Sequence, residues 1–191
     1  MLKIRAFRKG DEEVYVKVHN EGYSSEEWFG TLEKALTVED FSKLNYDATF
    51  FAEVNEKVIG LLDIKIRNQL VDIENIVVLP EYRRRGIGKA LLEKAIEFSR
   101  HRKLKKVRCE VPTHNERAIK FYVKNGFQHL TNAYLIRVQD KLSLEQYLGV
   151  GIYIVEDNKY WVINERQMKL IKNLRVPFFI IGEFDVMVKN I

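Results

Sequence analysis

Two glycines, Gly86 and Gly88, stand where a strand gives way to a helix, with Arg83, Arg84 and Arg85 before them and Lys89 after. The run Ile76, Val77, Val78, Leu79 stops at Pro80, and Ile87, Leu91, Leu92, Ala95 and Ile96 then recur at helical spacing. The first turn of such a helix offers backbone N–H groups with no internal acceptor, and the helix dipole adds partial positive charge to them. Glycine at this point removes side chains that would keep a ligand away. The expected chemistry is the holding of a phosphate or diphosphate. Cations at a helix N-terminus are unfavourable unless an anion joins them, and four stand here.

Two familiar phosphate loops fit this segment poorly. A P-loop needs Gly-x4-Gly-Lys-Ser/Thr, whereas Lys89 is followed by Ala90 with no earlier glycine at the required spacing. The dinucleotide fingerprint needs a third glycine where this chain has Leu91. Charge is uneven in the same sense. From Glu81 to Arg108 there are eleven Lys and Arg against three Glu, within a chain of net charge +5. Cations at a helix C-terminus account for Arg100, Arg102 and Lys103 but not for those ahead of Gly86.

The elements that position this segment follow from periodicity and turn residues. Residues 2–7 read as a strand, and Asp11 as the cap of a helix carrying Val14, Tyr15 and Val18. Residues 31–44 have helical spacing, with Thr37 to Asp40 resembling a capping box. Residues 50–54 and 58–66 form a hairpin around Asn55, Glu56 and Lys57, and residues 71–79 a further strand. Then come a helix over 87–103, a strand over 106–111 and a helix over 115–125 closed by Gly126. The helical crossover makes the strands at 71–79 and 106–111 parallel. Beyond residue 140 the texture changes: a hairpin over 152–163 turning at Glu156 to Lys159, a helix over 164–174 and a strand over 177–188. The expected organisation is a domain over residues 1–140 with a C-terminal extension over 141–191. The extension reads as a subdomain, a lid or a homodimer surface.

Arg83-x-x-Gly86-x-Gly88 after this strand end resembles the Gln/Arg-x-x-Gly-x-Gly/Ala signature of the GNAT superfamily of N-acetyltransferases. A second match begins 27 residues after Gly88, where Asn115, Ala118, Tyr122, Gly126 and Phe127 are similar to the superfamily pattern Asn-x-x-Ala-x-x-x-Tyr-x-x-x-Gly-Phe. The resemblance covers about residues 71–128. It implies an α/β (α+β) fold: a mixed, mostly antiparallel sheet, a parallel strand pair at an acetyl-CoA site, and helices on both faces.

The resemblance also implies roles. Ile76, Val77 and Val78 offer backbone groups to the pantetheine arm, and the amides from Arg84 to Lys89, through Arg85, Gly86, Ile87 and Gly88, hold the pyrophosphate. Asn115 touches the cofactor arm, and Tyr122 protonates the departing thiolate. An alkyl amine with a pKa of about 10.4 is mostly protonated at neutral pH, so a base must free its lone pair. Glu74 and Glu110 compete for that role: Glu74 by strand alternation with Val78, Glu110 by a spacing to Asn115 that resembles the N-terminal amine acetyltransferases of the superfamily. The Val78 amide is the candidate oxyanion donor. Each also has a plain reading, the two glutamates as solvated or ion-paired strand carboxylates, Tyr122 as a core aromatic and Asn115 as a helix cap.

Composition narrows the rest. The single Cys109, among strand-like residues, excludes an internal disulfide, and the four His show no metal-ligand spacing. A cytoplasmic setting with no metal is expected. No run of 18 apolar residues implies a membrane span. The basic run from Arg100 to Arg108 holds no aromatic for stacking bases, which counts against nucleic acid as a partner. The partner expected is an amine acceptor, met by residues 20–45, where Tyr23, Glu26, Glu27, Trp28 and Phe29 suit a cation. The alternative is a catalytically silent acyl-CoA-binding sensor.

Overall fold

The computed structural model describes residues 1–24, 35–138, 152–156, 159–173 and 178–191. Its contacts form two units, Met1–Arg108 with Asn190–Ile191, and Cys109–Lys189. Glu26, Glu27, Trp28 and Phe29, and the expected helix start at Thr31, lie outside the described residues, as do Asp157 and Asn158 of the second expected turn.

The first unit contains β1 (Leu2–Ala6), α1 (Glu12–Ser24), α2 (Val38–Lys43), β2 (Ala48–Val54), β3 (Lys57–Arg67), β4 (Leu70–Val78) and α3 (Ile87–His101), with the start of β5 (Lys106–Pro112). The strand order is β1-β2-β3-β4-β5. The first four strands are antiparallel neighbours, and β4 and β5 form the expected parallel pair. Both hairpin turns put non-glycine residues in the left-handed region: Asn55 and Glu56 at φ 49° and 64°, Asn68 and Gln69 at φ 48° and 61°. Two successive positive φ values give the turn whose twist matches that of the flanking strands. Thr37 forms the anticipated capping box with Asp40 and starts α2.

Strand alternation sends neighbouring residues to opposite faces, and a helix covers each. Phe51 meets Tyr15 of α1, in a cluster with Val18, Leu61, Val77 and Leu79. Phe50, one residue earlier, meets Phe98 of α3 edge-on. A bulge in β4 interrupts the alternation: Asp63 faces Asn75 and Ile64 faces Ile73, leaving Glu74 as the extra residue.

The second unit holds the end of β5, α4 (Glu116–Lys124), β6 (Gln128–Val138), β7 (Ile152–Glu156), β8 (Lys159–Ile163), α5 (Glu165–Asn173) and β9 (Phe178–Asn190). Its strand order is β5-β9-β6-β8-β7, with β6 antiparallel to both β8 and β9. One face of β6 packs Tyr134, Ile136 and Val138 with Met168 and Ile171 of α5. The other packs Ala133 and Leu135 with Phe184 and Val186 of β9. Residues 141–191 thus supply β7, β8, α5 and β9, and the break in contacts falls at Arg108/Cys109.

Candidate functional site

In the first unit β4 ends at Val78, a short 3-10 turn spans Pro80–Tyr82, and α3 begins at Ile87 behind Gly86. Gly86 is the N-cap at φ 81°, a conformation open to glycine at little cost, and a Cβ placed there would meet nothing within 4 Å. Glycine is therefore demanded by backbone shape, and the space beside it is open. No side chain caps α3, its first turn carries no acid, and the first bond into the helix runs from Ala90 N–H to Gly86 O at 3.0 Å. The amides of Ile87, Gly88 and Lys89 thus stand ahead of the helical bonding pattern. Arg84, Arg85 and Lys89 are exposed around them. A diphosphate fits this donor set.

Arg83 is placed differently from its three basic neighbours. Its Nε donates to Val78 O at 2.9 Å and an Nη to Gly22 O at 2.8 Å, so the guanidinium ties the end of β4 to the last turns of α1. Partial burial holds its pKa below the ordinary arginine value. Arg85 lies over the Tyr82 ring at 5.5 Å, and Lys89 pairs with Glu93 at 3.5 Å.

Glu74 is itself the extra residue of the bulge, so the alternation that sets it on the side of Val78 starts from an irregular position. The Glu74 carboxylate instead accepts from Arg67, which also bonds Asp72 at 2.9 Å, and Arg108 of β5 closes on the same Asp72. Asp72 is buried, so these two guanidinium groups supply the pairing that its charge needs.

Sequence reasoning missed a second polar cluster in this unit. Asp63 is fully buried; it accepts from Tyr15 at 2.7 Å, Thr49 at 2.6 Å and Asn75 at 2.9 Å. Asn75 accepts in turn from Tyr23 at 2.7 Å and donates to Tyr46 at 3.2 Å. Burial pushes the Asp63 carboxyl up to about 6, against the lowering effect of its three donors. The signal was present in the sequence: a lone carboxylate inside the apolar run from Val58 to Ile66.

In the second unit Asn115 caps α4, its Oδ1 accepting from Ala118 N–H at 3.0 Å. Tyr122 is 7% exposed and packs edge-on between Phe121 and Phe127, each centroid 5.2 Å away. Gly126 adopts φ 84° after the helix. Glu110 is half-buried on β5 between buried Cys109 and Val111. The predicted residues therefore fall in two sets, Glu74 to Lys89 in the first unit and Glu110, Asn115 and Tyr122 in the second. Among the described residues no helix is long and apolar enough to cross a membrane.

The family model described as "Acetyltransferase (GNAT) family" matches residues 7–127. An uncharacterized N-acetyltransferase of Methanocaldococcus jannaschii is 36% identical over 93 residues, 45% of this chain and 41% of that one. Another, of Archaeoglobus fulgidus, is 30% identical over 137 residues, 66% of this chain and 93% of that one. A spermidine N(1)-acetyltransferase of Thermoplasma acidophilum is 29% identical over 129 residues, 65% of this chain and 80% of that one. Among solved structures, the ribosomal-protein-S18-alanine N-acetyltransferase of Escherichia coli superposes with a TM-score of 0.63 at 19% identity, covering 100% of this chain and 94% of that one. The PaiA N-acetyltransferase of Thermoplasma acidophilum, in complex with coenzyme A, gives 0.59 at 19% identity, covering 86% of this chain and 98% of that one.

Proposed function

The chain belongs to the GNAT family of acetyltransferases, and we propose that it transfers the acetyl group of acetyl-CoA to a primary amine by direct attack in a ternary complex. The observation that carries this reading is the start of α3: a left-handed glycine cap, no side chain on the first amides, and exposed Arg84, Arg85 and Lys89 around them. Those amides would hold the pyrophosphate, and the backbone of Ile76, Val77 and Val78 the pantetheine arm. The coenzyme A bound to one structural neighbour supports the same choice of cosubstrate.

The chemistry then needs three things from the chain. A base must take a proton from the acceptor ammonium, a step typically worth about 10²–10⁴-fold, with Glu74 and Glu110 as the two candidates. An N–H donor must meet the developing oxyanion, which we assign to Val78. Tyr122 protonates the leaving thiolate; with a thiol pKa of about 8.5 the thiolate leaves without much help, so the tyrosine contributes modestly. Asn115, besides capping α4, is assigned to the cofactor arm. A cytoplasmic setting belongs to the same reading, since the one buried thiol asks for no oxidising compartment.

Acetyl-CoA at about 100 times its Kd stabilises the folded chain by about 2.7 kcal/mol, raising the melting temperature by about 5–10 °C. An unchanged melt with both CoA and acetyl-CoA refutes the cosubstrate assignment. Thiol release across a panel of amines separates an enzyme from a silent sensor, which binds acetyl-CoA and releases nothing. Tyr122→Phe lowers turnover while leaving CoA affinity nearly intact; equal turnover makes the ring a packing residue.

A further inference from the structure

The Asn75 side chain on β4 bonds to three other parts of the first unit. Its Nδ2 donates to Asp63 of β3 at 2.9 Å and to the Tyr46 oxygen ahead of β2 at 3.2 Å, and its Oδ1 accepts from Tyr23 of α1 at 2.7 Å. The two ends of an amide have nearly the same shape, so a partner that acts in only one sense decides which way it points. Asp63 is that partner. An ionised carboxylate accepts and never donates, and this one is held by further donors from Tyr15 and Thr49. Nδ2 is thereby turned to Asp63 and Oδ1 to Tyr23. A phenol has one proton, and that of Tyr23 goes to Oδ1, so toward any other group the Tyr23 oxygen can only accept. Burial, with the Asp63 charge adding to it, raises the Tyr23 phenol above its ordinary value, so it keeps that proton.

The last turn of α1, which carries half-buried Tyr23, lies against the strand end assigned to the thioester. A Cβ on Gly22 would strike Val77 Cγ1, and the Gly22 and Val78 carbonyls share the Arg83 guanidinium. That turn holds no basic residue, and a helix C-terminus gathers partial negative charge, of which Arg83 answers one carbonyl. A cationic group with N–H donors suits such a place. Asp63 is fully buried, and burial pushes its carboxyl up to about 6 against the effect of its three donors. The fold thus keeps a charge in a setting that disfavours it, and what the charge secures is the sense of the hydrogen bonds around it.

We propose that Asn75 is a positioning residue for acetyl transfer: held by Asp63, it turns the lone pairs of the Tyr23 hydroxyl to the acceptor, whose N–H they receive. The inference rests on the acetyl-transfer reading and deepens it, naming the side chain that takes the acceptor and a reason for a primary amine. One proton of the acceptor ammonium goes to the base, and the freed lone pair attacks the thioester carbonyl. As the N–C bond forms and the C–S bond breaks, a second proton ends on the departing sulfur. The third is the one that Tyr23 holds, and it stays in the amide product. A secondary ammonium has only the first two, so it loses this bond during transfer.

The test uses the full-length chain with saturating acetyl-CoA and spermidine, an alanyl peptide and a lysyl peptide as probes, following thiol release at a pH well above the Asp63 value. Tyr23→Phe keeps the ring and removes the oxygen; it lowers kcat/KM for the amine about 10–100-fold and leaves the KM for acetyl-CoA unchanged. Asn75→Leu gives a loss of the same kind. The double variant loses no more than Tyr23→Phe alone, because Asn75 acts through an oxygen already gone. A purely structural role for Asn75 lowers the melting temperature and multiplies its loss with that of Tyr23→Phe. Such multiplication, or a Tyr23→Phe chain within about twofold of the parent, overturns the positioning role alone. Thiol release with none of the three amines, from a parent chain that still binds acetyl-CoA, overturns the transfer reading and this inference with it.

Discussion

Val77 is held between two glycines, and the two contacts predict different responses to the same substitution. A Cβ on Gly22 of α1 would lie 2.0 Å from Val77 Cγ1, and a Cβ on Gly60 of β3 would lie 2.6 Å from the Val77 carbonyl oxygen. Both fall far inside the 3.5–4.0 Å of a good carbon contact, and Val77 is 3% exposed, with little room to move. Overpacking of this kind costs about 1–3 kcal/mol. Gly22→Ala regains about 1 kcal/mol because alanine is the better helix former, leaving a net loss of about 0–2 kcal/mol. That corresponds to a fall in melting temperature of up to about 8 °C for a chain of this size. Val77→Ala deletes the methyl that Gly22→Ala would strike, so this pair couples by about 1 kcal/mol or more in a double-mutant cycle. The obstacle to Gly60→Ala is a backbone oxygen that Val77→Ala leaves in place, so that pair adds to within about 0.5 kcal/mol. Urea denaturation of the two cycles, with constant m, makes the measurement. If Gly22→Ala and Val77→Ala simply add, the close approach of α1 to β4 is not what requires Gly22.

Two further outcomes follow from ion pairs and clamps around the same strands. Arg83→Gln gives up the guanidinium bonds to Val78 O and Gly22 O, so it should lower stability by about 1–3 kcal/mol in urea and weaken acetyl-CoA binding less than Arg84→Gln does. The Asp11 carboxyl is held below its ordinary pKa, first by the hydrogen bond from Arg5 and also by the Arg8 N–H. A depressed carboxyl contributes stability that is present above its unfolded pKa of about 3.9 and lost as pH falls through the folded value. Melting curves of the parent and Asp11→Asn should differ at pH 7 and converge toward pH 2; a gap independent of pH removes the pairing as its cause.

How much could be read from the sequence depended on whether a feature was periodic or solitary. The hairpins, α3 and α4 followed from spacing, and the caps at Thr37, Gly86, Asn115 and Gly126 followed from residues with few other uses. The bulge at Glu74 was not legible, because Asp72, Ile73, Glu74 and Asn75 contain no glycine and no break in pattern. It is created by pairing with β3, and it puts Glu74 at the irregular position of the strand. The turn at Asn68 and Gln69 also lacks glycine, and only its asparagine hints at positive φ. Asp63 and Asp72 carried a signal that strand counting passes over. A carboxylate inside an apolar run must find donors, but the sequence does not say that three tyrosines, an asparagine and a threonine will gather around one and two arginines around the other.

The four cations ahead of and within the first turn of α3 are not equivalent, and this changes what their presence implies. Counted in the sequence, Arg83, Arg84, Arg85 and Lys89 all oppose the helix dipole. In the structure the Arg83 charge is met by two carbonyl dipoles, Arg85 rests on the Tyr82 ring and Lys89 has Glu93 one turn on. Arg84 sits in the left-handed region at φ 63°, where a non-glycine residue is uncommon. The case for an anion therefore rests less on the number of charges than on the first-turn amides that no side chain caps, beside a Gly86 with open space at its Cβ position. Arg83 contributes to the same end by another route: it fixes the carbonyl of Val78, so the strand end assigned to the thioester and the glycine cap assigned to the phosphates are held by one short loop.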